Sequence, residues 1–413
     1  MFWVRFLIGI AFILLVDFYL FQAVRKAFMR FSPGARKWIK LVYWAIPVLF
    51  LITISIAFIN SGKGTYPFLL AFIMLYLSKF AGIGVLFIED IIRFFRLIYQ
   101  KVKKIFVTAV PEEPGGGEKI TRSAFISQTA LAVTGLHVGA FGWGIVSGAH
   151  DYRIHRVQLP LKNLPAAFDG MVIGQISDIH SGSFYKKVAV QGGVDLLMMN
   201  KPDMVFFTGD LVNNEAKELN DYFDVFKQIK APLGVYSVTG NHDYGDYFNW
   251  GSEDEKRRNF EKLIAGHKEL GWNLLMDEHR KIKIGNESIG VLGIQNWGAG
   301  GFIKAGDLQK AMKDTEDLPV RLLLSHDPSH WREQVLSKTN IDAAFSGHTH
   351  GMQYGVELGG FRFSPAQLRY PEWAGLYTEN DQHLYVNRGF GYLGYPGRVG
   401  ILPELTLIEL KKV

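Results

Sequence analysis

Residues 171–180 read Met171-Val-Ile-Gly-Gln-Ile-Ser-Asp-Ile-His180, an apolar run that stops at a carboxylate and an imidazole. A strand buried on both faces reads as a near-continuous apolar run, because neither side of it meets water. The pattern recurs four times. Met204 to Thr208 is followed by Gly209-Asp210, and Val235 to Thr239 by Gly240-Asn-His-Asp243. Val320 to Ser325 is followed by His326-Asp327, and Ile341 to Phe345 by Gly347-His-Thr-His350. Helical runs alternate with these from Asp151 onward, which is an α/β pattern. Five strands that each end in polar residues predict a ligand site at one edge, where side chains converge on rigid supports.

The convergent set is Asp178, His180, Asp210, Asn241, His242, His326, His348 and His350, in a chain with no Cys. Thiolate sites and Cys nucleophiles are thereby excluded, and imidazole with carboxylate suits Mn, Fe or Zn. One cation takes about four to six donors, so seven nitrogen or oxygen ligands and one further His fit two cations sharing a carboxylate. Two cations about 3.5–4 Å apart turn a shared water into a hydroxide nucleophile and clamp both oxygens of an in-line phosphoryl displacement. A single His at a strand end is explained by ordinary hydrogen bonding. Eight such residues in ordered blocks are not. The other histidines, His137, His150, His155, His267, His279, His330 and His383, stand in no motif and are assigned to surface or structure.

The ordered blocks Ser177-Asp-Ile-His180, Gly209-Asp210, Gly240-Asn-His-Asp243, His326 and Gly347-His-Thr-His350 resemble the calcineurin-like metallophosphoesterase superfamily over about the last 260 residues. Asn387-Arg-Gly-Phe-Gly391, Arg398 and Pro403-Glu404, behind a membrane region, resemble its YkuE-like bacterial branch. Met352 after Gly351 departs from that branch's pattern beside the ligand loop. The resemblance implies a four-layer αββα sandwich. It places Asp178, His180, Asp210 and His350 around one metal, and Asp210, Asn241, His326 and His348 around the other, with Asp210 bridging. His242 is then a catalytic group facing the scissile phosphate and protonating the leaving oxygen, and Asp243 orients His242 or its loop.

The first 150 residues are of another kind. They carry 16 Lys/Arg against 6 Asp/Glu, while residues 151–413 carry 29 against 33. Apolar stretches near 6–24, 41–59, 67–88 and 124–146 are each long enough for a hydrocarbon core that needs about 20 helical residues. A bundle of about four transmembrane helices is expected. The first link holds Arg25, Lys26, Arg30, Arg36, Lys37 and Lys40; the second holds only Lys63; the third holds Arg93, Arg96, Lys101, Lys103, Lys104, Lys119 and Arg122. The positive-inside bias puts links one and three in the cytoplasm and residues 151–413 on the extracytoplasmic side of a bacterial cell membrane. Arg93 to Val107 interleaves aromatic and cationic residues as an interfacial helix does, and Pro111-Glu-Glu-Pro-Gly-Gly-Gly117 reads as a flexible linker. Ser147-Gly-Ala149 resembles a cleavage site, but three preceding spans favour a retained anchor. Asp17 and Lys79 lie at matching depth in spans one and three, where an unpaired charge costs about 3 kcal/mol, and they are expected to pair.

The segment from Phe361 to Tyr377 gathers aromatics with Arg362 and Arg369 after the ligand loop. Arg369, Arg398 and Tyr370 are candidate substrate contacts, the arginines because a guanidinium grips phosphate or carboxylate in bidentate fashion. Tyr392 and Tyr395 are further candidates in a Gly-rich stretch. The expectation is a membrane-anchored, dinuclear-metal phosphoesterase acting on a phosphomonoester or phosphodiester. Anchoring suggests a lipid-linked or envelope substrate, and nucleic-acid binding is not expected. A membrane scaffold with a structural metal centre is the alternative. A transporter would need broken-helix pairs, which the spans lack.

Overall fold

The computed structural model describes residues 2–59, 66–106 and 122–413. It separates into two compact units, Met1–Gly142 and Trp143–Val413. The first contains α1 (Phe2–Ala27), α2 (Pro33–Ile59), α3 (Tyr66–Phe106) and the greater part of α4 (Arg122–Val146). All four helices are long and apolar enough to cross a membrane. α2 opens with Pro33, whose fixed φ and missing N–H suit a first helical position. α3 differs from expectation. Its 41 residues run without a break through Arg93 and Lys103, so the basic stretch is not a separate helix. No Gly or Pro follows Gly84 within it, and nothing else in the sequence ends the i→i−4 ladder. The expected linker at Pro111–Gly117 lies outside the described residues.

Within this unit Lys79 Nζ donates to Asp17 Oδ1, pairing the two intramembrane charges. Tyr76 OH donates to Asp17 Oδ2 at 2.6 Å and Tyr43 OH to the Asp17 carbonyl at 2.7 Å. Asp17 and Lys79 are buried. The carboxylate therefore enters an apolar medium with its oxygens occupied, the condition under which a buried charge is tolerated.

The second unit begins at Trp143, before the boundary at 150 expected from hydropathy. The last turn of α4 packs on the polar half of the chain. Gly144 O accepts from Arg398 N at 3.1 Å and Ile145 O from Tyr185 OH at 2.8 Å. A Cβ at Gly148 would strike the Arg398 carbonyl, so the chain needs glycine there to approach so closely.

Two six-stranded sheets follow. The first has the order β1 (Arg153–Leu161), β14 (Glu404–Lys412), β2 (Val172–Ile176), β3 (Met204–Phe207), β4 (Val235–Ser237) and β5 (Asn273–Leu274). The second has the order β12 (Gly375–Glu379), β13 (Gln382–Val386), β9 (Ala343–Ser346), β8 (Arg321–Leu324), β7 (Glu287–Gly293) and β6 (Glu278–Ile284). A separate hairpin joins β10 (Val356–Leu358) to β11 (Phe361–Phe363).

Period-two alternation sorts the strand side chains into three cores. Met204, Phe206, Leu322, Leu324, Ala343 and Phe345 point between the sheets. Val205 and Phe207 face outward onto α5 (Lys187–Met199) and α7 (Glu253–Leu270), with α6 (Phe223–Phe226) alongside, through Val194, Leu197, Phe226 and Leu263. Leu323 and Ala344 face the other way, onto α8 (Leu308–Met312) and Trp331. The layers are helix, sheet, sheet, helix. The five expected strands are all present, but three belong to one sheet and two to the other. The site edge is thus the rim between two sheets.

Candidate metal centre

Each loop that carries a candidate ligand leaves the carboxyl end of a strand. Asp178 and His180 follow β2, Asp210 follows β3, Asn241 and His242 follow β4, His326 follows β8, and His348 and His350 follow β9. The chain turns sharply there. Asp178, His180, Asp210, His348 and His350 all have φ between 49° and 70°, the left-handed region that non-glycine residues seldom occupy. Glycines make the crowding possible: a Cβ at Gly240 would meet the Asp210 carboxylate, and one at Gly347 would meet Ser177 Oγ and the Asp178 carboxylate.

Among the described residues, two groups have ligand atoms all within 4.8 Å of one another: Asp178, His180 and His350, and Asp210, His326 and His348. Asp210 stands between them, with Oδ2 at 3.5 Å from His180 Nε2 and 3.2 Å from His326 Nε2. His180 Nε2 and His350 Nε2 face each other at 3.0 Å, and His350 Nε2 lies 3.3 Å from Asp178 Oδ1. Asn241 Oδ1 is 2.9 Å from His348 Nδ1.

Burial pushes the His180 and His348 imidazoles down to about 3 and about 4, and His350 well below its ordinary value. These rings are neutral at neutral pH, which is the form that ligates a cation. Burial acts the same way on His326, but the Asp210 carboxylate outweighs it and pushes that ring up to about 10. Asp210 stays ionised, because His326 and His242 outweigh the effect of burial and hold it well below the usual carboxylate range. The neutral imidazoles, the ionised Asp210 and the second carboxylate of Asp178 fit divalent cations with nitrogen and oxygen preference.

A cavity of about 380 Å³ opens over this cluster, lined by His180, Asp210, Asn241, His242, His348 and His350 and walled by Tyr247, Phe302, Met352, Arg369 and Tyr370. A larger concavity of about 1410 Å³ lies at the opposite, amino ends of strands in the second sheet, around Arg321 and Asp342, and none of its lining residues is a His. Chemistry rather than size picks out the smaller one.

His242 is half-buried. Its Nδ1 donates to the Asn213 carbonyl at 2.8 Å, and its main-chain N–H donates to Asp210 Oδ1 at 2.9 Å. Of the expected substrate contacts, Arg369 and Tyr370 line the cavity, and Tyr370 OH is 2.7 Å from His348 Nε2.

Two expected site residues stand away from the cavity, which corrects the substrate contact expected of Arg398. Asp243 does not face the cavity: its carboxylate accepts from the main-chain N–H groups of Asp210, Leu211, Val212 and Gly240 at 2.8–3.3 Å, holding the ligand loops rather than touching a reactant. Burial, reinforced by the charge of Asp210, pushes its carboxyl up to about 7. Arg398 does not reach the cavity either. It is 1% exposed, and its guanidinium donates to the carbonyls of Gly391 at 2.6 Å, Arg388 at 2.8 Å and Gly389 at 3.1 Å, with Nη2 at 3.2 Å from His350 Nδ1. It braces the His350 ring from behind.

Sequence reasoning passed over Tyr247, whose OH accepts from Asn241 Nδ2 at 3.0 Å, and Asp327, whose Oδ2 is 3.5 Å from His348 Nε2. Asp327 was visible as the neighbour of His326. Tyr247 carried no signal.

Comparison with known proteins agrees with this geometry. Residues 171–352 match the family model described as calcineurin-like phosphoesterase, and residues 4–149 the one described as probable calcineurin-like phosphoesterase, transmembrane domain. The chain is 29% identical over 306 residues to a transmembrane protein with metallophosphoesterase domain from Danio rerio, covering 71% of this chain and 65% of that one. It is 27% identical over 304 residues to the uncharacterized metallophosphoesterase YkuE of Bacillus subtilis (strain 168), covering 71% and 99%. It is 28% identical over 240 residues to the phosphodiesterase YaeI of Escherichia coli (strain K12), covering 57% and 80%. The chain thus spans a little under two thirds of the fish relative's length. It belongs to the calcineurin-like phosphoesterases, as a member whose phosphoesterase domain follows a four-helix membrane domain.

Proposed function

We propose that this integral membrane protein hydrolyses a phosphomonoester or phosphodiester with the help of two divalent cations. The observation that carries the reading is the pair of candidate ligand groups, with Asp210 of one within 3.5 Å of His180 of the other, beneath a cavity whose wall presents His242. Asp178, His180 and His350 would hold one cation and Asp210, His326, His348 and Asn241 the other. When bound, the cations offset the charge of the phosphoryl oxygens and lower the cost of bringing an oxygen nucleophile to an anionic ester.

The protein's own groups do the rest. The Nδ1–H of His242 is committed to the Asn213 carbonyl, so the proton passed to the leaving oxygen is the one that Nε2 carries when the ring is doubly protonated. Arg369, exposed at the cavity mouth, draws anionic substrate in, and Tyr370 orients His348. The phosphodiesterase name of the Escherichia coli relative favours the same reaction class. The phosphoesterase domain is assigned to the extracytoplasmic side, because the cationic links one and three favour the cytoplasm. A periplasm-dependent reporter fused after Val413 is then active and a cytoplasmic one silent; the reverse result overturns the orientation.

The reaction is tested with the full chain in detergent and Mn²⁺, on p-nitrophenyl phosphate and its bis ester. Asp210→Asn should lose both cations and turnover. His242→Ala should keep the cations and slow by about 10²–10⁴-fold. A chain that binds two cations yet turns over no faster than His242→Ala is a scaffold, and the hydrolase reading fails.

A further inference from the structure

The hairpin of β10 and β11 is folded inside out. It closes through Gly359 and Gly360 at φ 54° and 89°, the left-handed pair of a type I′ turn. Val356 pairs with Phe363, Glu357 with Arg362, and Leu358 with Phe361. Residues directly opposite share a face and successive residues alternate, so the four apolar side chains lie on one face and Glu357 with Arg362 on the other. The polar face is the one turned to the protein. Glu357 pairs with Arg388, and the Arg362 guanidinium lies 5.9 Å and 5.5 Å from the ring centroids of Trp373 and Tyr377. The apolar face is left outside: Leu358 is 77% and Phe361 64% exposed, with Val356 and Phe363 beside them.

The patch runs on to the cavity mouth. β11 leads through Ser364, whose Oγ donates to the Gly351 carbonyl at 2.6 Å, into a short turn ending at Leu368, 85% exposed. Arg369 and Tyr370 of the cavity wall come next. Met352, on the cavity lip, is 60% exposed and held at φ 49°. A protruding apolar face of this kind marks an interaction site, since in water it invites association.

We infer that the face of Val356, Leu358, Phe361 and Phe363, with Leu368 and Met352, enters the lipid of the bilayer and holds the cavity mouth at headgroup depth. The bilayer is the occupant because the chain carries four apolar spans and the unit bearing the hairpin begins at Trp143, within the last of them. A surface tethered so closely faces lipid at high effective concentration. Arg369, exposed beside the apolar face, carries the charge that anionic headgroups attract. Resting on the hydrolysis proposed above, the substrate class is a phosphoester whose apolar part stays in the membrane.

The chain has no Cys, so Leu358→Cys, Phe361→Cys and Asn286→Cys each take one environment-sensitive fluorophore. Asn286 is exposed at the far strand ends and serves as control. With the full chain in nanodiscs, doxyl-labelled lipid should quench the labels at 358 and 361 and spare that at 286. Labels at 358 and 361 that behave like the control overturn the proposal. So does self-quenching that appears only with two copies per disc, which makes a second copy the occupant.

For the substrate class, Leu358→Ser with Phe361→Ser should lower turnover of phosphatidic acid in the same discs at least tenfold and leave p-nitrophenyl phosphate untouched. Equal effects on both substrates, or an unaltered chain that cleaves the soluble ester and not the lipid, overturn the class. An unaltered chain inactive on both refutes hydrolysis itself, and the quenching result still decides the hairpin.

Discussion

Asp178, His180, Asp210, His348 and His350 hold left-handed backbone, and each such residue costs about 1–3 kcal/mol that the surrounding contacts offset. The glycines between the loops are part of that support. In Gly347→Ala the new methyl meets Ser177 and Asp178 in a fully buried place. Destabilisation of about 1–3 kcal/mol is expected, with loss of bound cation by elemental analysis. Met352 is the opposite case. It occupies φ 49° with its side chain in solvent, so Met352→Gly should stabilise the fold by about 1 kcal/mol, read as a higher melting temperature. The residues gathered at the rim were legible in sequence, because they stand directly after apolar runs. The place of Arg398 was not. A guanidinium in a Gly-rich loop looks available for substrate, and only the folded loops bring main-chain carbonyls to it.

Between elements, two buried ion pairs carry different consequences. Asp17 on α1 and Lys79 on α3 lie within apolar spans, where removing one partner strands a charge. Asp17→Asn and Lys79→Met should each cost about 3–5 kcal/mol in detergent-titrated unfolding, and the double variant should recover much of the loss. Additive losses would mean that the pair is not coupled.

Glu404 at the start of β14 accepts from Tyr385 OH of β13 at 2.6 Å and pairs with Arg388, tying one sheet to the other. Burial would raise its carboxyl, but Arg388 and the hydrogen bonds outweigh that and bring it from 4.5 to about 2. A depressed acid contributes stability that is complete above its unfolded pKa and disappears as pH falls through the folded one. Glu404→Gln should therefore be less stable at neutral pH. It should also lose less stability than the parent between pH 4.5 and about 2 in acid titrations of the fold. Such inter-sheet ties, and within one sheet the pairing of β1 with β14 from Arg153 and Glu404 onward, join residues too far apart in the chain for local periodicity to reveal.

At the scale of the whole molecule, two compact units imply two responses to one perturbation. Cations bound at the rim stabilise only the unit that holds them, by about 4 kcal/mol at a thousandfold excess over the dissociation constant. Chelation should therefore lower one thermal transition of the full chain and leave the other in place; a matched shift of both would show that the units unfold together. Hydropathy was enough to find the membrane helices, and the apolar runs were enough to find the central strands. Neither could say which strands share a sheet, because burial on both faces erases the alternation that would distinguish them. The same holds for α3, whose charged end reads as a new segment although its backbone has no reason to stop.

The left-handed ligand loops also bear on inheritance. A descendant that abandoned cation binding would still fold through the same turns, and β-branched or bulky replacements would be refused there on backbone grounds alone. Selected for stability only, positions 178, 210 and 348 should refill from glycine and asparagine. A silent copy of this protein would then be recognisable by the small residues left where its imidazoles and carboxylates had been.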